Sequence, residues 1–291
     1  MATGIDRARA TIAAAATVSP RLGIYAAFRT FFATRPRLKV HARDAATMKK
    51  AARGHLKVRG IRVATYRWGD VGPVVVLAHG WRGRSSQFAP LVRSLVADGH
   101  RVVAFDAPAH GASGGSRTDV RDWVAALDAL QGKYGPFRAV VGHSFGGFAA
   151  LAAARHGLQT DAVVTIASAG APAPFLGEFA RIMTLDDTTR AGMERLFLRR
   201  VGETPQTLGE RYDAVAHPLD ADVPLLLIHG ADDRQLPASE SQRLHDAHPD
   251  SRLLLVEGAG HTRVLAAPEA IAVITAFVED PAGVPASAWV R

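Results

Sequence analysis

The stretch Val140-Val141-Gly142-His143-Ser144-Phe145-Gly146-Gly147 constrains the fold more than any other part of the chain. The apolar run at 138–141 predicts a β-strand, and the Ala-rich run after it predicts an α-helix. The two elements meet at Ser144, in a turn so tight that the serine must adopt a strained backbone conformation. Glycines at positions 142 and 146 remove side chains that would collide across such a turn. The pattern therefore predicts a serine hydroxyl above the end of a strand, at the positive end of a helix.

The G-x-S-x-G pattern at this turn has two interpretations. In the first it is a nucleophile elbow, which presents the Ser144 hydroxyl to a substrate. In the second it is a Gly-rich turn that only joins a core strand to a core helix. A five-residue pattern with two free positions also arises by chance, so other parts of the chain must decide between the two.

Composition places the chain among ordinary globular proteins. Its 291 residues, 48% hydrophobic and 21% charged, suffice for one large α/β domain or two small ones. The absence of cysteine excludes disulfides, thiolate metal sites and a cysteine nucleophile. The net charge of +8 is concentrated near the start, where residues 1–67 carry 15 Lys and Arg against only Asp6 and Asp44. The basic charge therefore belongs to the N-terminal arm, and we expect no nucleic-acid partner at the site.

Residues 1–54 predict a basic helical N-terminal extension. Three alternatives stay open for this arm: its apolar stripe packs on the body of the protein, the stripe lies on anionic lipid as an interfacial helix, or the arm contains a cleaved signal. No run approaches the roughly 20 apolar residues that a membrane span requires. We therefore expect a cytoplasmic protein, with peripheral contact to a membrane through this arm as a further alternative. The stripe consists of Leu22, Tyr25, Phe28, Phe31 and Phe32.

Alternating residues between His55 and Trp68 predict two antiparallel strands, and Val74 to Ala78 predicts a strand buried on both faces. That buried strand runs into His79-Gly80-Trp81, where a glycine lets the backbone approach a ligand. The backbone N–H of Trp81, paired with that of Phe145, is our candidate oxyanion hole. His79 is interpreted as a turn histidine held by local hydrogen bonds. The Trp81 ring is expected either to line the pocket or to pack in a lid.

Three motifs in this order, HGW, DAPAHGAS and GHSFGG, resemble the α/β-hydrolase superfamily. The resemblance implies an α/β fold with a mostly parallel sheet flanked by helices. The family's second motif is D-x-x-G-H-G-x-S, and Ala109 stands here in place of its first glycine. The resemblance implies that Asp106 and His110 fix this loop and do not catalyse.

The strand-helix rhythm breaks at 171–222, where three short segments have helical spacing. We predict that this insertion is a helical lid, and that 55–170 and 223–291 form the α/β-hydrolase core. Six apolar side chains of the insertion either line a substrate pocket or pack the lid. These are Phe175, Phe179, Met183, Met193, Leu196 and Phe197.

The resemblance also implies the partners of Ser144. The pattern G-x-x-D-x-x-x-P matches Gly230, Asp233 and Pro237, which assigns the acid to Asp233 and leaves Asp232 as its neighbour. His261 lies on a Gly-flanked loop after the last predicted strand, where the family carries its base. The order Ser144, Asp233, His261 is the order that this fold requires. A helix at 268–279 and a polar tail complete the prediction.

The predicted function is hydrolysis of a carboxylic ester or thioester by a Ser-His-Asp triad, through an acyl-enzyme and without cofactor or metal. The same three residues fit two alternatives, an acyltransferase and a carbon–carbon bond hydrolase. A third alternative is a binding protein that has kept the fold without turnover. Haloalkane and epoxide hydrolysis in this fold use an aspartate at the elbow, so Ser144 argues against both.

Overall fold

The computed structural model describes residues 4–281, so most of the predicted polar tail, 282–291, lies outside the described residues. The chain divides into two compact units. The sheet unit comprises Thr34–Gly170 and Ala214–Arg291, and the helical unit comprises Met1–Ala33 and Ala171–Asp213.

Eight strands among the described residues form one sheet in the order β1-β2-β4-β3-β5-β6-β7-β8. The pairs β1–β2 and β2–β4 are antiparallel, and all other neighbours are parallel. The prediction of a mostly parallel α/β sheet is therefore confirmed. The strands are β1 (Ala52–Val58), β2 (Ile61–Trp68), β3 (Val74–Ala78), β4 (Arg101–Phe105), β5 (Ala139–His143), β6 (Val163–Ile166), β7 (Leu225–Gly230) and β8 (Arg252–Val256).

Burial explains why the central strands read as continuous apolar runs. Every residue of β3 and of β5 is buried, because helices cover both faces of a parallel sheet. Val76 is in register with Val103 on one side and Val140 on the other. The predicted hairpin at the sheet edge turns at Arg59 and Gly60, both with positive φ (45° and 83°), as a tight two-residue hairpin requires.

Helices alternate with the strands after β3. Asp119 caps α5 by accepting a hydrogen bond from the Arg121 backbone N–H. The helices are α1 (Gly4–Val18), α2 (Pro20–Phe31), α3 (Ala45–Lys49), α4 (Ala89–Ala97), α5 (Val120–Tyr134), α6 (Phe145–Arg155), α7 (Pro172–Met183), α8 (Asp187–Val201), α9 (Pro205–Tyr212), α10 (Ser239–Ala247) and α11 (Pro268–Glu279).

The helical unit combines α1 and α2 with the three inserted helices α7, α8 and α9. Phe31 of α2 meets Phe179 edge-on at 5.2 Å between ring centroids, and Phe197 at 6.2 Å. Gly192 of α8 has no side chain where Ile24 lies, so α2 and α8 approach closely. The aromatic part of the N-terminal stripe therefore packs on the insertion, a partner that the sequence did not suggest.

Four of the six candidate pocket residues belong to this core as well. Met193 is fully buried, and Met183 and Phe197 are buried with it, while Phe179 packs against them. These four side chains therefore pack the inserted helices, which is the second of the two alternatives predicted from the sequence. Only Phe175 and Leu196 lie outside this apolar cluster.

The expectation of helix through residue 54 is wrong for 33–41 and for 52–54, which belong to β1. Helix α2 ends at Phe31, and 33–41 has no regular secondary structure. Pro36 cannot donate a helical hydrogen bond. The segment is held instead by Arg37, whose guanidinium donates to the carbonyl oxygens of Gly111, Ser113 and Gly115. Among the described residues, no helix is both long enough and apolar enough to cross a bilayer.

Candidate active site

Ser144 occupies the turn between β5 and α6, as predicted. Its backbone has φ 53° and ψ −122°, a conformation that side chains disfavour. Its N–H donates to the Ile166 carbonyl at 2.8 Å, and its own carbonyl accepts from Gly147 N–H and from the Ser168 hydroxyl, at 2.9 and 2.8 Å. The Ser144 side chain makes no capping bond to α6. The backbone of Ser144 is thus held on both sides, while its hydroxyl does not cap α6.

The glycines around Ser144 are required by close approach. A Cβ on Gly146 would collide with the Ala78 carbonyl at the end of β3, and one on Gly142 would collide with the first turn of α6. A Cβ on Gly80 would lie 2.8 Å from Cβ of Ser144. The loop after β3 therefore lies directly beside the elbow.

We expect Gly146→Ala to lower the free energy of unfolding by about 3 kcal/mol or more, because backbone must move to admit the methyl group. Gly132→Ala is the matched control: its Cβ would meet no atom within 4 Å and it lies in α5. That variant should gain up to about 1 kcal/mol, the helical preference for alanine. Urea denaturation of the two variants measures the difference, and equal stabilities would contradict the packing described for the elbow.

Asp233 and His261 come together beyond the ends of β7 and β8. Nδ1 of His261 lies 2.6 Å from Oδ2 of Asp233, whose side chain is 0% exposed. The other oxygen, Oδ1, accepts from the backbone N–H groups of Gln235 and Leu236 at 2.8 and 3.0 Å. Asp232 is exposed. Of the two neighbouring carboxylates, the structure therefore brings Asp233 to the histidine.

Asp233 is ionised in this setting. Burial by itself would raise the pKa of Asp233, but hydrogen bonds from His229 and His261 outweigh it and hold that pKa well below its usual range. An ionised carboxylate can only accept, so Nδ1 of His261 carries the proton. The other ring nitrogen of a neutral His261, Nε2, is then free to take a proton from a donor.

His143, the residue before Ser144, links the elbow to the His261 loop. Burial and the neighbouring His261 lower the pKa of His143 to about 3, so its ring is neutral. Its Nε2 donates to the His261 backbone carbonyl at 2.8 Å, and the two ring centroids are 4.9 Å apart. No hydrogen bond joins the Ser144 hydroxyl to the His261 ring within the described residues. Such bonds are often long in unliganded enzymes and shorten when substrate binds.

The two candidate oxyanion-hole residues lie on the loop after β3 and at the start of α6. Trp81 follows Gly80, and Phe145 begins α6. Their rings meet edge-on at 5.2 Å, and the Trp81 ring stacks on Trp123 of α5 at 5.7 Å. The Trp81 side chain thus packs inside the sheet unit, and both rings remain partly exposed.

Three polar residues after β3 and β4 make structural hydrogen bonds, namely His79, Asp106 and His110. His79 accepts from Ala107 N–H at 2.9 Å and donates to the Gly80 carbonyl at 2.7 Å. Asp106 accepts from the backbone of Ser85 and of Ala112, both at 2.8 Å. Burial lowers the pKa of His110 to about 3, so this ring is neutral. These contacts agree with a loop-fixing role.

Ala109, which replaces the first glycine of the family motif, has a strained backbone conformation. Its φ is 65°, a region in which glycine is favoured and a side chain is strained by about 1–2 kcal/mol. The loop keeps its shape all the same, since Ala109 N–H donates to the Gly114 carbonyl at 2.7 Å.

One cavity adjoins the turn that carries His261. This cavity of about 330 Å³ is lined by 38–41, by Pro90 and by Thr262, the residue after His261. It offers space for a mainly apolar group beside the turn that carries His261. Among residues 4–281, no cluster of His, Asp and Glu has the composition of a metal site.

Sequence reasoning missed three residues that touch the site. His143 and Ser168 bind the backbone of His261 and Ser144, and His229 lies against Asp233. A histidine inside the apolar run of β7 was a usable signal, because a buried imidazole requires hydrogen-bond partners.

Several known proteins are similar to this chain in sequence. The model of a family described as the alpha/beta hydrolase family matches residues 75–274. A pimeloyl-[acyl-carrier protein] methyl ester esterase of Neisseria meningitidis serogroup B is 31% identical over 241 residues, covering 70% of this chain and 92% of the relative. A protein of the same name from Nitrosomonas europaea is 27% identical over 237 residues, covering 68% and 92%.

Solved structures share the fold at lower identity. Mouse alpha/beta hydrolase domain-containing protein 10 has a TM-score of 0.62 and 21% identity, covering 79% of this chain and 98% of its own. The esterase Pf2001 of Pyrococcus furiosus has a TM-score of 0.61 and 18% identity, covering 85% and 97%.

Proposed function

This chain belongs to the alpha/beta hydrolase family, and from that premise we propose that Ser144, His261 and Asp233 act together as its catalytic triad. The chain is an enzyme that hydrolyses esters or thioesters. The observation that carries the proposal is the 2.6 Å hydrogen bond between His261 and a buried, ionised Asp233. It leaves the ring with one nitrogen ready to accept a proton, in the chain whose elbow serine keeps its hydroxyl free of a capping bond.

The reaction begins when the Ser144 Oγ attacks the carbonyl carbon of the ester. The hydroxyl proton passes to Nε2 of His261, and the charge of Asp233 stabilises the imidazolium that results. The carbonyl oxygen becomes an oxyanion, for which the N–H groups of Trp81 and Phe145 are the proposed donors. This step requires Nε2 to come within hydrogen-bond reach of Oγ.

The tetrahedral intermediate collapses by breaking the bond to the leaving group. The alcohol or thiol departs with the proton from His261 and leaves the acyl group on Ser144. Water then attacks the acyl carbon and gives its proton to His261. The bond from this carbon to Ser144 Oγ breaks, and Oγ takes the proton back from His261. The products are a carboxylic acid and an alcohol or thiol, and the enzyme returns to its starting protonation state.

Turnover of p-nitrophenyl esters graded by chain length tests the proposal, with an acyl thioester series measured beside it through release of free thiol. Methyl esters of longer acids belong in the panel because several relatives are named as methyl ester esterases. We expect turnover within at least one series and covalent labelling by a fluorophosphonate. A protein that turns over none of these compounds and takes no label would contradict the proposal. The lid role of the inserted helices stays a prediction.

A second proposal concerns the cellular location of the protein and its contact with membranes. We propose a cytoplasmic enzyme that touches anionic membrane through α2. Leu22 and Tyr25 are 50% and 53% exposed, and exposed Arg21 and Arg29 lie beside them on the same helix. Apolar side chains flanked by arginines suit the interface of an anionic bilayer.

Changing Leu22 and Tyr25 together to serine should reduce binding to anionic liposomes by about 10-fold or more, since each side chain loses about 1.5–3 kcal/mol of apolar burial. Val71→Ser is the control, because Val71 is 75% exposed and lies on the sheet unit. Co-sedimentation with liposomes that contain a third phosphatidylglycerol measures both variants. Equal binding by the double variant and the wild type would remove α2 as the contact.

A further inference from the structure

His229 is the least expected residue in the strand that leads to Asp233. It lies in β7 between Ile228 and Gly230, and its side chain is 0% exposed. An imidazole placed among apolar side chains costs free energy unless its nitrogens are hydrogen-bonded. Both ring nitrogens of His229 are in fact bonded, and neither contact follows from the family motif.

The partners of His229 fix which nitrogen carries the proton. Nε2 lies 3.0 Å from the Leu236 carbonyl oxygen and 3.2 Å from Oδ2 of Asp233, and both of these atoms can only accept. Nε2 must therefore carry hydrogen. Nδ1 lies 2.7 Å from the Ser241 hydroxyl of α10, which is fully buried and can donate to it. Ser241 thus occupies Nδ1 of the His229 imidazole, while the Nε2–H of that imidazole faces the Asp233 carboxylate.

Asp233 Oδ2 consequently faces two imidazole N–H groups, that of His261 and that of His229, whose single hydrogen is shared with the Leu236 carbonyl. His229 approaches it at 3.2 Å and His261 at 2.6 Å, while Oδ1 is held by two backbone N–H groups. With the backbone donors alone, the carboxylate would be fixed at one oxygen only. The His229 contact fixes the second oxygen, the one that His261 uses. Because β7 and α10 are packed elements, this contact is rigid, unlike one made from a loop.

We propose that His229, held by Ser241, is a positioning residue that aims the Asp233 carboxylate at His261. The inference rests on the proposed function, in which Asp233 orients the catalytic base. His229 touches neither substrate nor the reacting atoms. Its effect on turnover passes entirely through Asp233.

Kinetics of two variants at His229 test this role. His229→Phe keeps a ring of similar size and removes both nitrogens, and His229→Gln keeps an N–H near the position of Nε2. We expect kcat of the Phe variant to fall about 10- to 100-fold, the scale of a small misplacement of catalytic groups. KM should stay within about twofold, because substrate contacts are unchanged, and the Gln variant should recover most of kcat. Full kcat in the Phe variant, or a Gln variant no better than Phe, would overturn the inference.

A double variant separates positioning from general damage to the fold. In an Asp233→Asn background the His229→Phe change should cost less than about twofold in kcat, because the group it positions is already gone. A fall as large as in the wild-type background would overturn the inference. If the Phe variant does not fold, Ser241→Ala replaces it in the same cycle, with a smaller fall of kcat expected and the same rule for the double variant.

A proton NMR measurement keeps this inference distinct from the proposed function, since it needs no turnover. The short His261–Asp233 hydrogen bond should give a far-downfield proton signal that Asp233→Asn abolishes. We expect the signal to shift or broaden in His229→Phe and to be retained in His229→Gln. A signal unchanged in the Phe variant would refute positioning. Absence of ester turnover and of fluorophosphonate labelling in the wild type would instead refute the proposed function.

Discussion

Replacing Ser144 with alanine should reduce kcat for any ester substrate by about four orders of magnitude or more, because the atom that forms the acyl-enzyme is removed. Labelling by a fluorophosphonate should disappear at the same time. The fold should survive, since the Ser144 hydroxyl makes no capping bond and the backbone contacts of the elbow do not depend on it. Initial rates with a p-nitrophenyl ester and gel fluorescence with a labelled phosphonate measure the two effects.

Ser94→Ala is the matched control, since Ser94 lies on α4 and its hydroxyl contacts Thr275. That variant should keep both turnover and labelling. Ser144→Ala protein that retains a substantial fraction of kcat would show that another nucleophile carries the reaction.

Replacing Asp233 with asparagine should reduce kcat by about 10³- to 10⁴-fold at neutral pH, because the amide no longer fixes the tautomer of His261 or stabilises its protonated form. Asp232→Asn is an unusually close control: it changes the same group one position earlier, on an exposed side chain. That variant should stay within about twofold of the wild type. A larger loss in Asp232→Asn than in Asp233→Asn would move the acid by one residue.

The contribution of Asp233 to the free energy of unfolding should depend on pH, and the Asp233→Asn variant measures it. The pKa of Asp233 is depressed in the folded protein by its hydrogen bonds to His229 and His261. A depressed pKa means that Asp233 stabilises the fold above its unfolded pKa of about 3.9, and that this contribution is lost as pH falls further. The stability difference between wild type and Asp233→Asn should therefore be largest near neutrality and shrink in acid. Urea denaturation at several pH values measures it, and a difference that grows in acid would contradict this assignment.

The parts of the fold that sequence predicted well are those fixed by neighbouring residues. A continuous apolar run identified β3, and the glycines of the elbow identified the turn at Ser144. Helix α11 begins at Pro268 and ends at Glu279, the two predicted positions. In each case the pattern and the reason for it lie within about a dozen residues.

What sequence could not predict depends on contacts between distant parts of the chain. Nothing near Phe31 indicates that its ring meets Phe179 and Phe197, which follow about 150 residues later. In the same way, the tautomer of His229 depends on its contact with Ser241, which lies on a separate helix. Resemblance supplied the acid and the base, and packing then distinguished buried Asp233 from exposed Asp232.

A crystal structure of the phosphonate-treated protein can show whether Ser144, His261 and Asp233 act at one place. We expect phosphorus bonded to Ser144 Oγ, with Nε2 of His261 within hydrogen-bond reach of the adduct. The phosphonyl oxygen should lie about 2.7–3.1 Å from the backbone nitrogens of Trp81 and Phe145. Phosphorus on another residue would contradict the proposed triad. A His261 ring that stays hydrogen-bonded to Asp233 yet cannot reach the adduct would contradict it as well.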